Sequence, residues 1–266
     1  MGLLLAIDVG NTNIVLGLFD MSVGRDAPVI QSWRISTSRE RTPDEYGLAS
    51  LALLSHRGIE PSQITDVIIS SVVPPLHPVL DTWIQDYFKT DPIWIGPGVK
   101  TGLKVMLDNP SELGADRIVN CVAGIERHGI PLIALDFGTA TTFDVVNERR
   151  EYLGGIILPG IKIAAEALFQ RASRLPRVEI TEPERLVGKS TVQAMQSGLY
   201  YGYVGLVDGI LARLLGVHPG SRVVATGGLA KVIAPASQYI QDIAVDLTLE
   251  GLRILWLKNR KPVTCP

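Results

Sequence analysis

Leu5-Ala-Ile-Asp-Val-Gly-Asn-Thr-Asn13 is an apolar strand that ends in Asp8 and turns at Gly10 into short polar residues. Successive backbone N–H groups in such a turn form a concave anion site, and glycine lets a phosphate approach the backbone. Asn11, Thr12 and Asn13 add polar donors, and Asp8 stands where a carboxylate can hold the water shell of a phosphate-bound Mg²⁺. A plain β-hairpin with turn-favouring Asp and Asn explains this stretch equally well when it is taken alone. The pattern returns, however, as Ile133-Ala-Leu-Asp-Phe-Gly-Thr-Ala-Thr141, with Asp136, Gly138 and Thr139 in the corresponding places. Two such turns are expected to clasp one nucleotide, and Val223-Val-Ala-Thr-Gly-Gly228 supplies a third strand ending in glycines against which an adenine could lie.

Strand-like runs at 3–7, 14–19, 67–73, 93–95, 132–135, 143–146 and 223–225 alternate with helical stretches, which predicts an α/β protein. Thr42 and Glu45 form a capping box with Pro43 at the first helical position, so a helix is expected from Pro43 to about Arg57. A second begins near Ala115 and puts Asp116 and Arg117 in its first turn. The longest, Thr191 to Leu215, aligns Gly198, Gly202, Gly205 and Gly209 on one face. Each glycine costs roughly 1 kcal/mol against alanine, so either tight packing inside the domain or a subunit interface is expected there.

The 266 residues, 46% of them hydrophobic, allow one large domain or two ordinary ones. The expected division is 1–114 and 115–266, with a C-terminal helix around Leu247–Leu257 packing back on the first domain. A formal charge of -2 gives no broad basic field, so no nucleic-acid partner is expected. Cys121 and Cys265 make no disulfide framework, and the apolar run at 3–7 is short of a leader core or the roughly 20 residues of a membrane helix. A cytoplasmic protein with no membrane span is expected. His56, His77, His128 and His218 are read as surface or loop residues, and Trp33, Trp83, Trp94 and Trp256 as packing residues.

Gly188-Lys-Ser-Thr191 mimics the end of a P-loop, but Pro183 stands where its first glycine belongs and no strand leads into it. No Gly-x-Gly-x-x-Gly follows a strand, so a dinucleotide site has no support either. The acceptor side is best sought at Gly114-Ala-Asp-Arg117, where Asp116 could take the proton of an attacking hydroxyl and Arg117 could fork onto a carboxylate or phosphate. The positive end of the helix is expected to make Asp116 a weaker base. An ordinary first-turn acid followed by a surface arginine is the alternative.

The order of two phosphate turns and a Gly-Gly strand end resembles the actin-like, sugar-kinase-like and chaperone ATPase superfamily. That resemblance implies two related actin-like ATPase (ribonuclease H-like) domains with an interdomain nucleotide cleft. Seven stretches narrow it further: Asp8-Val-Gly-Asn-Thr-Asn-Ile-Val15, Thr42-Pro-Asp-Glu-Tyr46, Ser70-Ser-Val-Val-Pro74, Gly114-Ala-Asp-Arg117, Asp136-Phe-Gly-Thr-Ala-Thr-Thr142, Tyr152-Leu-Gly-Gly-Ile156 and Ala194-Met-Gln-Ser-Gly198. Together they look like the type III pantothenate kinases. The resemblance implies ATP-dependent phosphorylation of pantothenate at the start of coenzyme A synthesis by a homodimer, with Mg²⁺ and a monovalent cation, potassium or ammonium. It places Asp8, Val9, Gly10, Asn11, Thr12, Asn13, Ile14, Val15 and Thr139 on ATP, and Gly114, Ala115, Asp116, Arg117 and Thr191 on pantothenate. Asp116 is then the proton acceptor and Asp136 the ligand of the monovalent cation. A nucleotide-dependent regulator, or a kinase of a sugar or another small acid, are the competing readings.

Overall fold

The computed structural model describes residues 2–260, and Cys265 lies outside them. Contacts divide the chain into two compact units that are not sequential. One comprises the residues up to Gly102, Asn109–Ala123 and the residues from Asp246; the other comprises Leu103–Asp108 and Gly124–Val245.

In the first unit, β1 (Leu3–Val9), β2 (Asn13–Asp20), β3 (Val29–Ser36), β4 (Ile64–Ser71) and β5 (Ile93–Trp94) form a sheet of order β3-β2-β1-β4-β5. The first three strands form an antiparallel meander, and β4 and β5 continue parallel to β1. Alternation along β1 sends Leu5, Ile7 and Val9 into a core shared with Ile14, Leu16, Val67, Ile69 and Trp83. Helices α1 (Pro43–Ser55) and α2 (His77–Phe88) contribute Tyr46, Leu54, Leu80, Trp83 and Ile84 to that core. The capping box of α1 is present: Glu45 N–H donates to Thr42 Oγ1 at 3.3 Å, and Thr42 N–H donates to Glu45 Oε2 at 2.8 Å. The helix ends at Ser55 rather than Arg57, because Arg57 and Gly58 donate to Leu54 and Ser55 in a tighter closing turn.

Helix α3 (Ala115–His128) starts in the first unit and finishes in the second. The second unit holds β6 (Lys104–Val105), β7 (Leu132–Phe137), β8 (Ala140–Val146), β9 (Glu151–Pro159), α4 (Ile161–Arg171), α5 (Thr191–Val217), β10 (Arg222–Thr226), α6 (Ala230–Ile233) and β11 (Asp242–Ile243). Its sheet has the order β11-β10-β7-β8-β9-β6. Apart from β6 this repeats the first sheet strand for strand: an antiparallel meander, β7 to β9, extended beyond its first strand by parallel β10 and β11. The recurring sequence pattern therefore sits on a recurring topology. Helix α7 (Leu247–Asn259) belongs to the first unit, where Leu249 closes against Gly17 of β2, Thr248 bonds Asn120 and Trp256 bonds Asp66.

One side of α5 carries Leu199, Tyr203, Val207 and Leu211 into the second core, a stripe at helical spacing. Its glycines do the opposite. Gly198, Gly202 and Gly205 are exposed, and a β-carbon on any of them would meet nothing within 4 Å. Packing inside the domain, one of the two expected explanations, does not account for these three among the described residues; Gly209 is half-buried, and a β-carbon there would lie 3.6 Å from Arg213 of the same helix. Cys121 is fully buried in α3. Two histidines depart from the surface reading: His77 opens α2 with its ring 4.5 Å from that of Trp94 and its Nε2 buried, and His128 Nδ1 lies 3.3 Å from Asp242. Trp83 and Trp256 are core residues as expected. Among the described residues no helix is long and apolar enough to cross a membrane.

Candidate functional site

The first turn joins β1 to β2 and is closed by the Gly10 N–H, which donates to the Asn13 carbonyl at 3.0 Å. Space is tight there, since a β-carbon on Gly10 would stand 3.1 Å from the same oxygen. Asn11 and Thr12 are exposed, whereas the side chains of Val9 and Ile14 are fully buried. Those two side chains are closed to a ligand. The turn is tied down by a residue without a motif: Thr37, just past β3, donates its hydroxyl to the Gly10 carbonyl at 2.7 Å and its N–H to the Thr12 carbonyl at 3.1 Å. Asp8 pairs in register with Ser70 of β4, and one step on Val72 N–H donates to the Val9 carbonyl at 3.0 Å.

Val72 also links this strand end to the start of α3. A β-carbon on Gly114 would lie 3.7 Å from Val72 Cγ1 and 2.6 Å from Asp116 Oδ1, so the missing side chain leaves the carboxylate its room. Asp116 Oδ1 accepts the Arg117 N–H at 2.8 Å. Burial pushes the Asp116 carboxyl above its ordinary range; the Arg117 N–H and guanidinium pull the other way and do not prevail. This corrects the expectation that the helix terminus makes Asp116 a weaker base. Desolvation of the charged form is the largest influence on this carboxyl, and a carboxylate with a raised pKa is the stronger proton acceptor.

In the second unit, Asp136 lies near the end of β7, and Gly138 and Thr139 make the turn into β8. Two glycines press on it. Gly160 donates its N–H to the Thr139 carbonyl at 3.0 Å, and a β-carbon there would overlap that oxygen and crowd the Gly138 carbonyl, 2.7 Å away. Gly227, directly after β10, holds φ at +93°, and a β-carbon there would overlap Asp136 Oδ1 and stand 2.7 Å from the Phe137 backbone. The expected strand ending in a glycine pair is thus present and packs on the second turn.

Within the first unit the structure brings the strand end that bears the Asp8–Val15 turn and the Gly114–Arg117 segment to Val72. Within the second it brings together Asp136, Gly138, Thr139 and Gly227. Thr191 is exposed as the first residue of α5, behind Ser190, whose hydroxyl caps the helix by accepting the Gln193 N–H. No strand precedes this Gly-Lys-Ser-Thr stretch, in agreement with its rejection as a P-loop. Sequence reasoning missed Thr37 and Gly160. Neither falls next to a recognisable pattern; only the fold reveals their partners. No three His, Cys, Asp or Glu side chains among the described residues gather as a metal cage. A cation held by Asp8 or Asp136 would complete its shell with water, carbonyl and phosphate oxygens, donors that suit Mg²⁺ and alkali ions.

Residues 4–213 match the family model of the type III pantothenate kinases. A type III pantothenate kinase of Geotalea daltonii is 55% identical over 97% of this chain and 100% of its own length, and that of Myxococcus xanthus is 54% identical over 97% and 99%. Among solved structures, a Campylobacter jejuni protein described as a candidate Baf family transcriptional activator superposes with a TM-score of 0.60 at 19% identity, covering 96% of this chain and 98% of that one. A candidate N-acetylmannosamine kinase from Listeria monocytogenes gives 0.55 at 10% identity, covering 97% and 100%. At these identities the structures show the fold alone, an α/β fold that this chain shares with a sugar-kinase-type protein.

Proposed function

The chain belongs to the type III pantothenate kinases, and we infer that it transfers the γ-phosphoryl group of ATP to the primary hydroxyl of pantothenate, the first step of coenzyme A biosynthesis. The observation that carries the chemistry is the place of Asp116, half-buried in the first turn of α3 where Gly114 leaves its carboxylate room beside Val72, and burial pushes that carboxyl upward. As the hydroxyl oxygen bonds to the γ-phosphorus, the bond to the β–γ bridging oxygen breaks, the hydroxyl proton passes to Asp116, and ADP leaves. Arg117 forks onto the pantothenate carboxylate, and Gly114, Ala115 and Thr191 complete the acceptor contacts. The Asp8–Val15 turn and Thr139 hold ATP phosphates through N–H and hydroxyl donors. Mg²⁺ neutralises triphosphate charge when bound, and Asp8 is the carboxylate suited to its water shell. Asp136 is assigned to a monovalent cation, potassium or ammonium.

We further propose a homodimer that works in the cytoplasm. The exposed glycine face of α5 supports it: three glycines there cost about 1 kcal/mol each with no compensating contact among the described residues, and a second backbone would supply one. The decisive experiment is Asp116→Asn. Turnover should fall by about 10²–10⁴-fold in a protein that still melts cooperatively, and near-native turnover would remove Asp116 from the chemistry. Pantothenate-dependent release of ADP by the unaltered protein separates this kinase from a nucleotide-binding regulator. Replacing potassium by sodium should lower the rate, and equal rates in both salts would count against the cation.

A further inference from the structure

Behind the second turn stands a buried phenol that no motif contains. Tyr203 lies on the core stripe of α5, and its hydroxyl donates to the carbonyl of Pro159, the last residue of β9. Thr141 Oγ1 is 2.8 Å from the same hydroxyl. A phenol has one proton, already directed at Pro159, so Thr141 is the donor of that second bond. Burial pushes the phenol pKa upward, which keeps the proton in place at neutral pH.

Both partners lead directly to the turn. Thr141 stands two residues after Thr139 on β8, and Pro159 precedes Gly160, the residue pressed onto the Gly138 and Thr139 carbonyls. Tyr203 thus grips the strand leaving the turn and the segment that buttresses it. We propose that Tyr203 is a positioning residue for ATP, a phenol clamp that fixes the backbone of Gly138 and Thr139 where the nucleotide phosphates need it. The inference rests on the assignment of Thr139 to ATP. A positioning role is the one expected, because reacting groups held slightly out of place lose rate steeply.

Tyr203→Phe keeps the ring and deletes one oxygen. The expected result is an ATP KM raised about tenfold, equivalent to about 1.4 kcal/mol, an unchanged pantothenate KM, and a smaller rise in Tm on adding ADP. Thr141→Val should move the same readings in the same direction, and Thr141→Ser, which retains the hydroxyl, should not. If Tyr203→Phe fails to fold, Thr141→Val decides. A lowered Tm with wild-type ATP KM and wild-type nucleotide stabilisation would overturn the clamp and leave a purely structural tyrosine; so would an equal rise in both KM values. Should the unaltered protein release no ADP with pantothenate, the kinase reading fails, while the nucleotide-induced Tm shift still judges the clamp.

Discussion

At Gly10 the first Asp-x-Gly turn is tied down by a threonine hydroxyl arriving from beyond β3, whereas at Thr139 the second is pressed between Gly160 and Gly227, which leave no room for a β-carbon. The two share a motif and a strand order, yet the first is held by hydrogen bonds from Thr37, whereas the second depends on two glycines that let backbone press on it, with Tyr203 bonded on either side. A sequence repeat preserves what a ligand meets; how each copy is braced follows its own surroundings.

The largest effect is expected where bracing depends on glycine. Gly227→Ala combines a positive-φ penalty of about 1–2 kcal/mol with overpacking of about 1–3 kcal/mol, and urea unfolding should report the sum. Gly160→Ala meets the second cost alone, about 1–3 kcal/mol, and should also raise the ATP KM. Wild-type stability in both variants would mean that the backbone yields and the contrast between the turns is wrong. A smaller loss is expected from Thr37→Val in the first turn, about 0.5–1.5 kcal/mol for one hydrogen bond, with the ATP KM again raised. A loss larger than that of Gly227→Ala would reverse the comparison.

The smallest expected effect on stability concerns Asp116, in the same unit as the first turn. A carboxyl whose folded pKa is raised above its unfolded value contributes stability below the unfolded pKa, and loses it as pH rises through the folded one. Near neutral pH, Asp116→Asn should therefore melt at the same temperature as the unaltered protein or higher, with the difference closing in acid. Turnover of the unaltered protein should fall on acidification at a pH above the ordinary carboxylate range. A melting temperature that drops in the variant at neutral pH would contradict burial as the dominant influence.

Local signals were legible. The capping box of α1, the start of α3 at Ala115 and the long helix from Thr191 all depend on residues within a turn of one another, and the structure contains each. The family and the α/β class were legible too, because their motifs are contiguous. Strand β3 escaped attention because it alternates half-buried with exposed positions along a sheet edge and leaves Ile30 in solvent. Strand β9 carries Gly154 and Gly155, which read as a loop. Thr37 and Tyr203 were invisible for another reason: their partners lie 27 and 44 residues away, and no periodicity spans such separations. The helix-terminus argument at Asp116 failed because burial is a property of the fold, and no residue near 116 announces it.

The burial of Val9 and Ile14 has a pharmacological side. Both side chains are closed off in the core, so exchange among valine, isoleucine and leucine there leaves the exposed Asn11 and Thr12 of the turn as they are. An inhibitor aimed at this loop gains little from greasy substituents meant for its aliphatic residues. Under the proposed assignment of this turn to ATP, the inhibitor's affinity must come from polar groups that meet the exposed turn, and resistance by side-chain exchange at positions 9 and 14 is correspondingly hard to reach.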